Sequence, residues 1–387
     1  MKLFFNKKKK LFIFLILFSL ALISIVHSFK QAQLYSFDFT ISTAKLTSEG
    51  VNHYQYVLDG KHDRSPNDRI LHSQDGHYAH GIHILLIPFT WLSWDMAKFT
   101  WALVNIIFSF AIIYLLYWRF NLSKELIFVC ACIFLMSTPY RINISYGQHT
   151  LFTFLFFIFP FVFKNKLSIF FSGLSYFKYN IGYVIFIYFV SLLNIKKILI
   201  SLIACFLGWL FHSYLTNSNI FENLFAPIRA LFYFLPIENY LPVTIFSLLK
   251  TIGLPVFLTI AIPLTLSFFV IYRLRAVKDE LLKLSIVSLT CLSFAAHQLH
   301  DYILLLPLLV FSLKNISLTI SKINIVLIFY FFFFLRILSY FFGFQPWDFP
   351  YGYFGYLNNF LTISVLFINI NFLLFNPKKN INFLKFN

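Results

Sequence analysis

The amino-acid sequence predicts an all-α, polytopic membrane protein, and three observations lead to that fold class. Of the 387 residues, 59% are hydrophobic, only 12% are charged, and apolar runs recur along the whole chain. A soluble domain carries about 25% charged residues to cover its water-facing surface. A chain of this length can form two soluble domains, but one this apolar cannot cover two wet surfaces. We therefore expect a single membrane domain over residues 1–387.

The positions of the basic residues predict which side of the membrane each loop faces. The net charge of +17 can by itself indicate a nucleic-acid partner, but Lys and Arg lie in small clusters between apolar runs. Short cytoplasmic loops have this pattern. The clusters predict a plasma-membrane protein with both termini in the cytoplasm and no nucleic-acid partner. They are Lys7 to Lys10, Arg119 with Lys124, Lys164 with Lys166, Lys196 with Lys197, Arg273 to Lys283, Lys314 with Lys322, and Lys378 with Lys379.

Twelve apolar ranges fit this orientation in order along the chain. The first, residues 11–28, can be a signal peptide; we favour an uncleaved helix, because the chain downstream is also apolar. Residues 29–95 then form a long extracytoplasmic loop, in which the apolar piece 82–94 is too short to span and is expected along the membrane surface. The other predicted spans are 96–118, 125–139, 149–163, 167–177, 180–193, 198–215, 253–272, 283–297, 302–313, 322–341 and 356–375.

Two predicted hairpins, residues 167–193 and 283–313, have helices shorter than the ~20 residues that a full crossing needs. Each has a polar tip, Lys178-Tyr179-Asn180 in the first and His297 to Asp301 in the second. Such a bend is tolerated where the tip is solvated or lines a cavity. Both tips are predicted on the outer side of the membrane.

The first external loop holds most of the unusual residues. Six of the eleven histidines lie between His53 and His83. A solvated loop needs polar residues in any case, and this is the alternative to a functional interpretation. His77, His80 and His83 are spaced by three, as metal ligands can be, but no matching carboxylate or cysteine pattern accompanies them. The four cysteines, Cys130, Cys132, Cys205 and Cys291, lie in apolar runs and are expected to be small core residues.

Asp38 is the loop carboxylate with the most distinctive position. It follows the first helix by about ten residues and lies between Phe37 and Phe39, which predicts a site near the membrane surface. A carboxylate that stays ionised beside an acceptor hydroxyl can serve as a general base. A helix-capping role is the alternative.

Three other polar groups are predicted at the same outer edge. They are Gly147-Gln148-His149, Lys178, and His300-Asp301. Ionisable residues at membrane depth are costly and are therefore candidates for a functional site. The alternatives are snorkelling of Lys178 to the interface and simple pairing of Asp301 with a cation.

These residues occur in an ordered set of motifs. The set is D-F at 38–39, N-H-Y-Q-Y at 52–56, S-Q-D-G-H-Y-A-H-G at 73–81, I-P-F at 87–89, Y-G-Q at 146–148, S-G-L-S-Y-F-K at 172–178, and H-D-Y at 300–302. In order and spacing it resembles the family 87 branch of the GT-C glycosyltransferases over about residues 30–310. The resemblance implies a bundle of about 10–12 transmembrane helices with an extracytoplasmic active site. It also implies a polyprenyl-phosphate-linked donor of mannose or arabinofuranose, a glycan or glycolipid acceptor, and no metal or other cofactor.

The resemblance also assigns roles to individual residues. Asp38 matches the loop carboxylate that takes the acceptor proton, His300 assists near the reacting centre, and Lys178 faces the donor phosphate. Tyr78, His80, Gln148 and Asp301 are expected to bind substrate. Many members have a proline motif where this chain has Tyr78-Ala79-His80-Gly81, so the acceptor pocket is expected to differ.

A flippase for lipid-linked sugars, or another multipass transporter, is the main alternative function, and a non-catalytic assembly protein is a second. A transporter needs a polar path to both faces, often with related halves and broken helices at mid-membrane. The sequence shows neither an internal repeat nor a polar path that reaches both faces. The one-sided polar tips and the long loop favour a membrane enzyme.

Overall fold

The computed structural model describes residues 7–60, 78–234, 244–295, 297–342 and 352–375. Within these ranges every regular element is a helix, as predicted for an all-α chain. His77 and most of the S-Q-D-G-H-Y-A-H-G motif lie outside them, as do Lys378 and Lys379. The α-helices are α1 (Lys7–Leu34), α2 (Ile41–Ser48), α3 (His53–Leu58), α4 (His80–Leu86), α5 (Trp94–Arg119), α6 (Lys124–Met136), α7 (Thr138–Ser145), α8 (Thr150–Phe157), α9 (Phe159–Val162), α10 (Lys166–Ser172), α11 (Tyr179–Ser191), α12 (Ile195–Leu215), α13 (Ile220–Leu224), α14 (Ala226–Phe234), α15 (Ile245–Thr251), α16 (Val256–Arg273), α17 (Glu280–Phe294), α18 (Leu306–Lys314), α19 (Thr319–Phe329), α20 (Leu335–Phe342) and α21 (Gly352–Phe375).

Within the described residues, four helices are long and apolar enough to cross a membrane: α1, α5, α12, and α16 with the turn that follows it. The pair α6 and α7 adds a fifth span if the two helices, which meet at 58°, cross together. Large side chains on these helices are exposed, among them Phe12, Ile107 and Phe206. Extended apolar surface of this kind suits contact with lipid. Several helices can therefore span a bilayer, which is consistent with a multipass membrane protein.

All of the predicted spans are largely helical, but several are broken. Range 167–177 is α10 followed by a 3-10 turn (Gly173–Phe177), and range 302–313 begins in a 3-10 turn (Leu299–Leu305) before α18. Range 322–341 contains a π-helical turn, Tyr330–Phe334. The lengths of these pieces do not establish twelve crossings.

Two predicted boundaries were wrong. The first helix does not end at residue 28 but continues to Leu34, because residues 29–34 contain no helix breaker. The predicted span 125–139 is not one helix: Ser137 has an extended backbone and its hydroxyl caps α7. Pro139 in the first turn of α7 cannot donate to a preceding helix, so the chain bends at this point.

The loop after α1 forms the short helices α2, α3 and α4. Helix α4 packs on α2 and α12, and α3 packs on α2 and α14. Asn52 caps α3, since its side-chain oxygen accepts hydrogen bonds from the amides of Tyr54 and Gln55. Residues 82–94 form the rest of α4 and a 3-10 turn (Ile87–Trp91), neither long enough to span. Trp91 at the end of that turn is exposed. These helices carry several histidines, and the segment that leads into α2 carries Asp38.

Candidate functional site

The candidate site is built around the turn between α7 and α8. Gly147 lies at φ +69°, a backbone conformation that favours glycine. A Cβ atom on Gly147 would lie 2.8 Å from Cβ of Phe39. The turn therefore needs glycine both for its conformation and for its close approach to the loop that carries Asp38.

Asp38 is held against this turn at two points. Its backbone amide donates to the Tyr146 carbonyl (2.9 Å), and Nε2 of Gln148 donates to Oδ2 of Asp38. Asp38 is half-buried, whereas Gln148 is buried. The N-cap residue of α2 is Thr40 rather than Asp38. The structure thus brings together the loop carboxylate and the Gln148 amide, which are 110 residues apart.

Trp101 of α5 supports the turn from the other side. Its indole Nε1 donates to the Gly147 carbonyl at 2.8 Å. The same ring is stacked on Phe39, with ring centroids 5.3 Å apart and planes 6° apart. One tryptophan therefore holds both segments that carry the polar groups.

His149 occupies the next position in the turn. Its Nε2 lies 3.0 Å from Thr40 Oγ1, and its ring is buried. His149 therefore connects the turn to the segment that leads into α2.

Lys178 lies at the tip of the first hairpin, and it contacts the tip of the second. Its Nζ donates to Asp301 Oδ1 at 2.7 Å and to Thr150 Oγ1 at 2.6 Å, and it lies 3.2 Å from His300 Nε2. An ammonium group has three donors, so the protein itself engages all of them. The Lys178 side chain is only 4% exposed, which rules out snorkelling. Asp301 is paired with a cation, as its alternative interpretation predicted, and that cation is Lys178.

Asp301 is enclosed by donors. Oδ2 accepts from the Gln298 amide at 3.0 Å, and Oδ1 accepts from the Thr150 hydroxyl at 2.9 Å. Burial raises the pKa of this carboxyl, but Lys178 and His300 oppose it and hold the pKa below its ordinary value. Asp301 is therefore ionised and forms a buried ion pair with Lys178.

His300 completes this group. Burial lowers its pKa to about 3; the Lys178 ammonium contributes to the lowering and Asp301 opposes it. A neutral ring whose Nε2 accepts from Lys178 carries its proton on Nδ1. The His300 carbonyl accepts from Asn143 Nδ2 at 2.7 Å, which ties the second hairpin to α7.

Three consecutive residues, Gln148-His149-Thr150, connect the two parts of the site. Gln148 bonds to Asp38, His149 lies against Thr40, and Thr150 bonds to both Lys178 and Asp301. We call Asp38, Gln148, His149, Thr150, Lys178, His300 and Asp301 the polar cluster.

The histidine cluster is a second buried group, formed by His53, His80, His83 and His212 around Tyr54. The rings of His53 and His83 have centroids 4.0 Å apart, and the His80 and His212 centroids are 5.0 Å apart. Asn223 Nδ2 lies 3.0 Å from His212 Nδ1, and His212 Nε2 lies 3.2 Å from His53 Nδ1. Because the Asn223 Nδ2 group can only donate, His212 Nδ1 accepts from it, and His212 Nε2–H donates a hydrogen bond to His53 Nδ1. The cluster joins α3, α4 and α12.

The histidine cluster contains His80, which was expected to bind substrate, and both His80 and His83, which were considered as metal ligands. His80 Nε2 donates to the Asn223 carbonyl at 2.9 Å, so His80 belongs to this cluster and not to the one around Asp38. His83 Nδ1 lies 2.8 Å from Thr43 Oγ1. Across the part of the chain that the structure describes, no three His, Cys, Asp or Glu residues are placed to hold a metal ion. Tyr78 lies between the clusters: its carbonyl accepts from Tyr54, and its ring is 5.5 Å from that of His149.

Several residues of these clusters, and Trp101 beside them, were not predicted. Thr150 has no signal in the sequence, because a threonine at the start of an apolar helix is common. The sequence does hold a signal for His212, since a histidine inside an apolar run is costly and therefore notable. Trp101 resembles any aromatic residue of a membrane helix.

Comparisons with protein-family models, with curated proteins and with solved structures find no match to this chain. A function for this chain is therefore inferred from the site geometry and from the motif resemblance.

Proposed function

We propose that the chain is a plasma-membrane glycosyltransferase that uses a polyprenyl-phosphate-linked sugar as donor and a glycan or glycolipid as acceptor. In this proposal both termini are cytoplasmic and the polar cluster lies at the extracytoplasmic side. The donor sugar is mannose-like or arabinofuranose-like, as the motif resemblance implies.

The main support for this proposal is the polar cluster, which joins the first-loop carboxylate, Asp38, to the two hairpin tips in an otherwise apolar chain. Buried ionisable groups in such surroundings are expensive and mark functional sites. A polyprenyl tail is insoluble in water, so an enzyme must meet this donor within the bilayer. The tip of a short helical hairpin can present polar groups to a sugar at the membrane edge.

Asp38 is the proposed general base. It takes the proton of an acceptor hydroxyl while that oxygen bonds to the anomeric carbon of the donor sugar. The bond between the anomeric carbon and the phosphate oxygen breaks, and polyprenyl phosphate leaves with the electron pair. A single displacement of this kind inverts the anomeric centre.

Lys178 is the proposed partner of the leaving phosphate. A fixed cation that faces developing negative charge is worth more in a water-poor site than in water. Because the protein engages all three Lys178 donors, the phosphate has to replace one contact. The longest is that to His300 Nε2, at 3.2 Å. His300 then lies beside the phosphate, where its Nδ1–H or Nε2 can assist.

The test uses purified protein in lipid vesicles with radiolabelled polyprenyl-phosphate mannose and polyprenyl-phosphate arabinofuranose. Membranes of the producing cells supply the acceptor. We expect label to pass from one donor to an acceptor. The proposal is overturned if neither donor is consumed, and a transporter is favoured if labelled donor changes leaflet without forming a product.

A further inference from the structure

Gln148 has an asymmetric environment that a purely structural glutamine would not need. Its Nε2 donates to Asp38 Oδ2, while its buried Oε1 accepts no hydrogen bond from the residues that the structure describes. An unsatisfied buried oxygen costs free energy. The contact at the Nε2 end is therefore the one that explains this side chain.

The backbone on both sides of this contact is restrained. The Asp38 amide donates to the Tyr146 carbonyl, and Trp101 binds the Gly147 carbonyl while it stacks on Phe39. The backbones at Gln148 and Asp38 therefore cannot move apart without breaking neighbouring contacts. A hydrogen bond from a neutral amide to a carboxylate is charge-assisted, and it favours the ionised form of the carboxylate.

We propose that Gln148 is a positioning residue that donates to Asp38 and holds its carboxylate ionised in one orientation. This differs from the substrate-binding role expected from the sequence. The inference rests on the proposed function, since it needs Asp38 to act as the base. The other charged and titratable members of the polar cluster are His149, Lys178, His300 and Asp301, and the last three contact one another.

The decisive variant is Gln148→Glu, which keeps the length and the acceptor oxygen but removes the donor. If Gln148 positions Asp38, two carboxylates meet at neutral pH and the maximal rate falls roughly 10- to 100-fold, the range of a lost hydrogen bond to a charged group. The half-saturating donor concentration stays within a few-fold of wild type. As the pH is lowered from 8 to 6, the two carboxyl groups take up one proton and share it, so that the side chain at position 148 again donates a hydrogen bond to Asp38. The ratio of variant to wild-type rate therefore rises.

Gln148→Ala removes the donor without adding a charge, so its rate falls without recovering at low pH. It is the second variant if Gln148→Glu does not fold. The matched control is Gln55→Glu: Gln55 Nε2 on α3, in the same loop, also donates to an aspartate, Asp59 Oδ1 at 2.6 Å, and both of these residues are exposed. We expect Gln55→Glu to keep the wild-type rate at every pH. Rates are measured with the same two labelled donors, and size-exclusion chromatography in detergent checks folding.

The outcomes separate this inference from the proposed function. If Gln148→Glu keeps the maximal rate and only raises the half-saturating donor concentration, the Gln148 amide serves binding of the sugar donor and not Asp38, and the positioning role is wrong. A rate loss in Gln148→Glu that is the same at pH 6 and pH 8 also contradicts it. A wild-type protein that transfers neither sugar overturns the proposed function, and the positioning role falls with it.

Discussion

Lys178 Nζ and Asp301 Oδ1 lie 2.7 Å apart, and both side chains are almost completely buried. Two residues expected to serve the substrate separately are thus partners of each other. Burying two charges carries a desolvation penalty that the attraction between them offsets only with good geometry and further hydrogen bonds. Thr150 and the Gln298 amide provide those further bonds. The pair therefore has a structural role besides any role in catalysis.

Removing one member of this pair should destabilise the protein. Lys178→Met leaves the Asp301 carboxylate buried and unpaired, and Asp301→Asn does the same to the ammonium. Each is expected to cost about 3–5 kcal/mol of unfolding free energy. The double variant should cost less than the sum of the two. Thermal unfolding in detergent measures all three, and additive losses would contradict direct pairing.

The histidine cluster predicts a loss of stability in mild acid. Burial lowers the pKa of His80 to about 4 from its usual 6.5, and burial also lowers the pKa of His83. The unfolded chain binds protons between pH 6.5 and about 4, while the folded chain keeps these rings neutral. Stability is therefore complete above pH 6.5 and falls as the pH drops through that window.

The measurement is the unfolding midpoint in detergent at pH 7.5 and pH 5. We expect a fall of a few degrees in the wild type and a smaller fall in His80→Gln, which has lost one titrating ring. His27 on α1 is exposed, so His27→Gln should behave as wild type. An unchanged pH dependence in His80→Gln would remove His80 from the explanation.

Gly147→Ala should disturb the segment that holds Asp38. The substitution places a Cβ 2.8 Å from Phe39 at φ +69°, so backbone strain and steric overlap add. Gly253→Ala is the matched control, because Gly253 has φ +83° and no atom near the new Cβ. Left-handed strain alone costs about 1–2 kcal/mol, which is what the control should lose. An equal loss at both sites, measured by thermal unfolding, would mean that the contact with Phe39 is unimportant.

The orientation of the chain can be tested with single cysteines. Ser48 at the end of α2 and Ser123 before α6 are both exposed. If the basic clusters face the cytoplasm, Ser48→Cys reacts with an impermeant thiol reagent in intact cells and Ser123→Cys does not. The four native cysteines are replaced in this background. Labelling of Ser123→Cys from outside would reverse the proposed orientation and with it the extracytoplasmic position of Asp38.

The apolar ranges predicted the helices well, because a helix in lipid needs a long run of apolar side chains and little else. The breaks within them depend on tertiary contacts. Ser137 ends α6 and caps α7, which only the folded chain reveals as a 58° bend.

Asp38, Lys178, His300 and Asp301 could be selected from the sequence because charge is rare in apolar surroundings. Their partners could not. Thr150 is an ordinary residue that matters through its position between Lys178 and Asp301. Burial of the Lys178 side chain is likewise a property of the packed hairpins and not of the local sequence.

The rate of sugar transfer by the Asp38→Asn variant is the most direct test of whether Asp38 is the general base. The asparagine keeps the size of the side chain and can still accept from Gln148 Nε2, but it cannot take a proton at neutral pH. General base catalysis is typically worth about 10²–10⁴-fold, so transfer from the labelled donors should fall on that scale while the protein folds normally. Asp59→Asn, at the C-terminal end of α3 in the same loop, should stay within a few-fold of wild type. A wild-type rate in Asp38→Asn would contradict the assignment of Asp38 as the base.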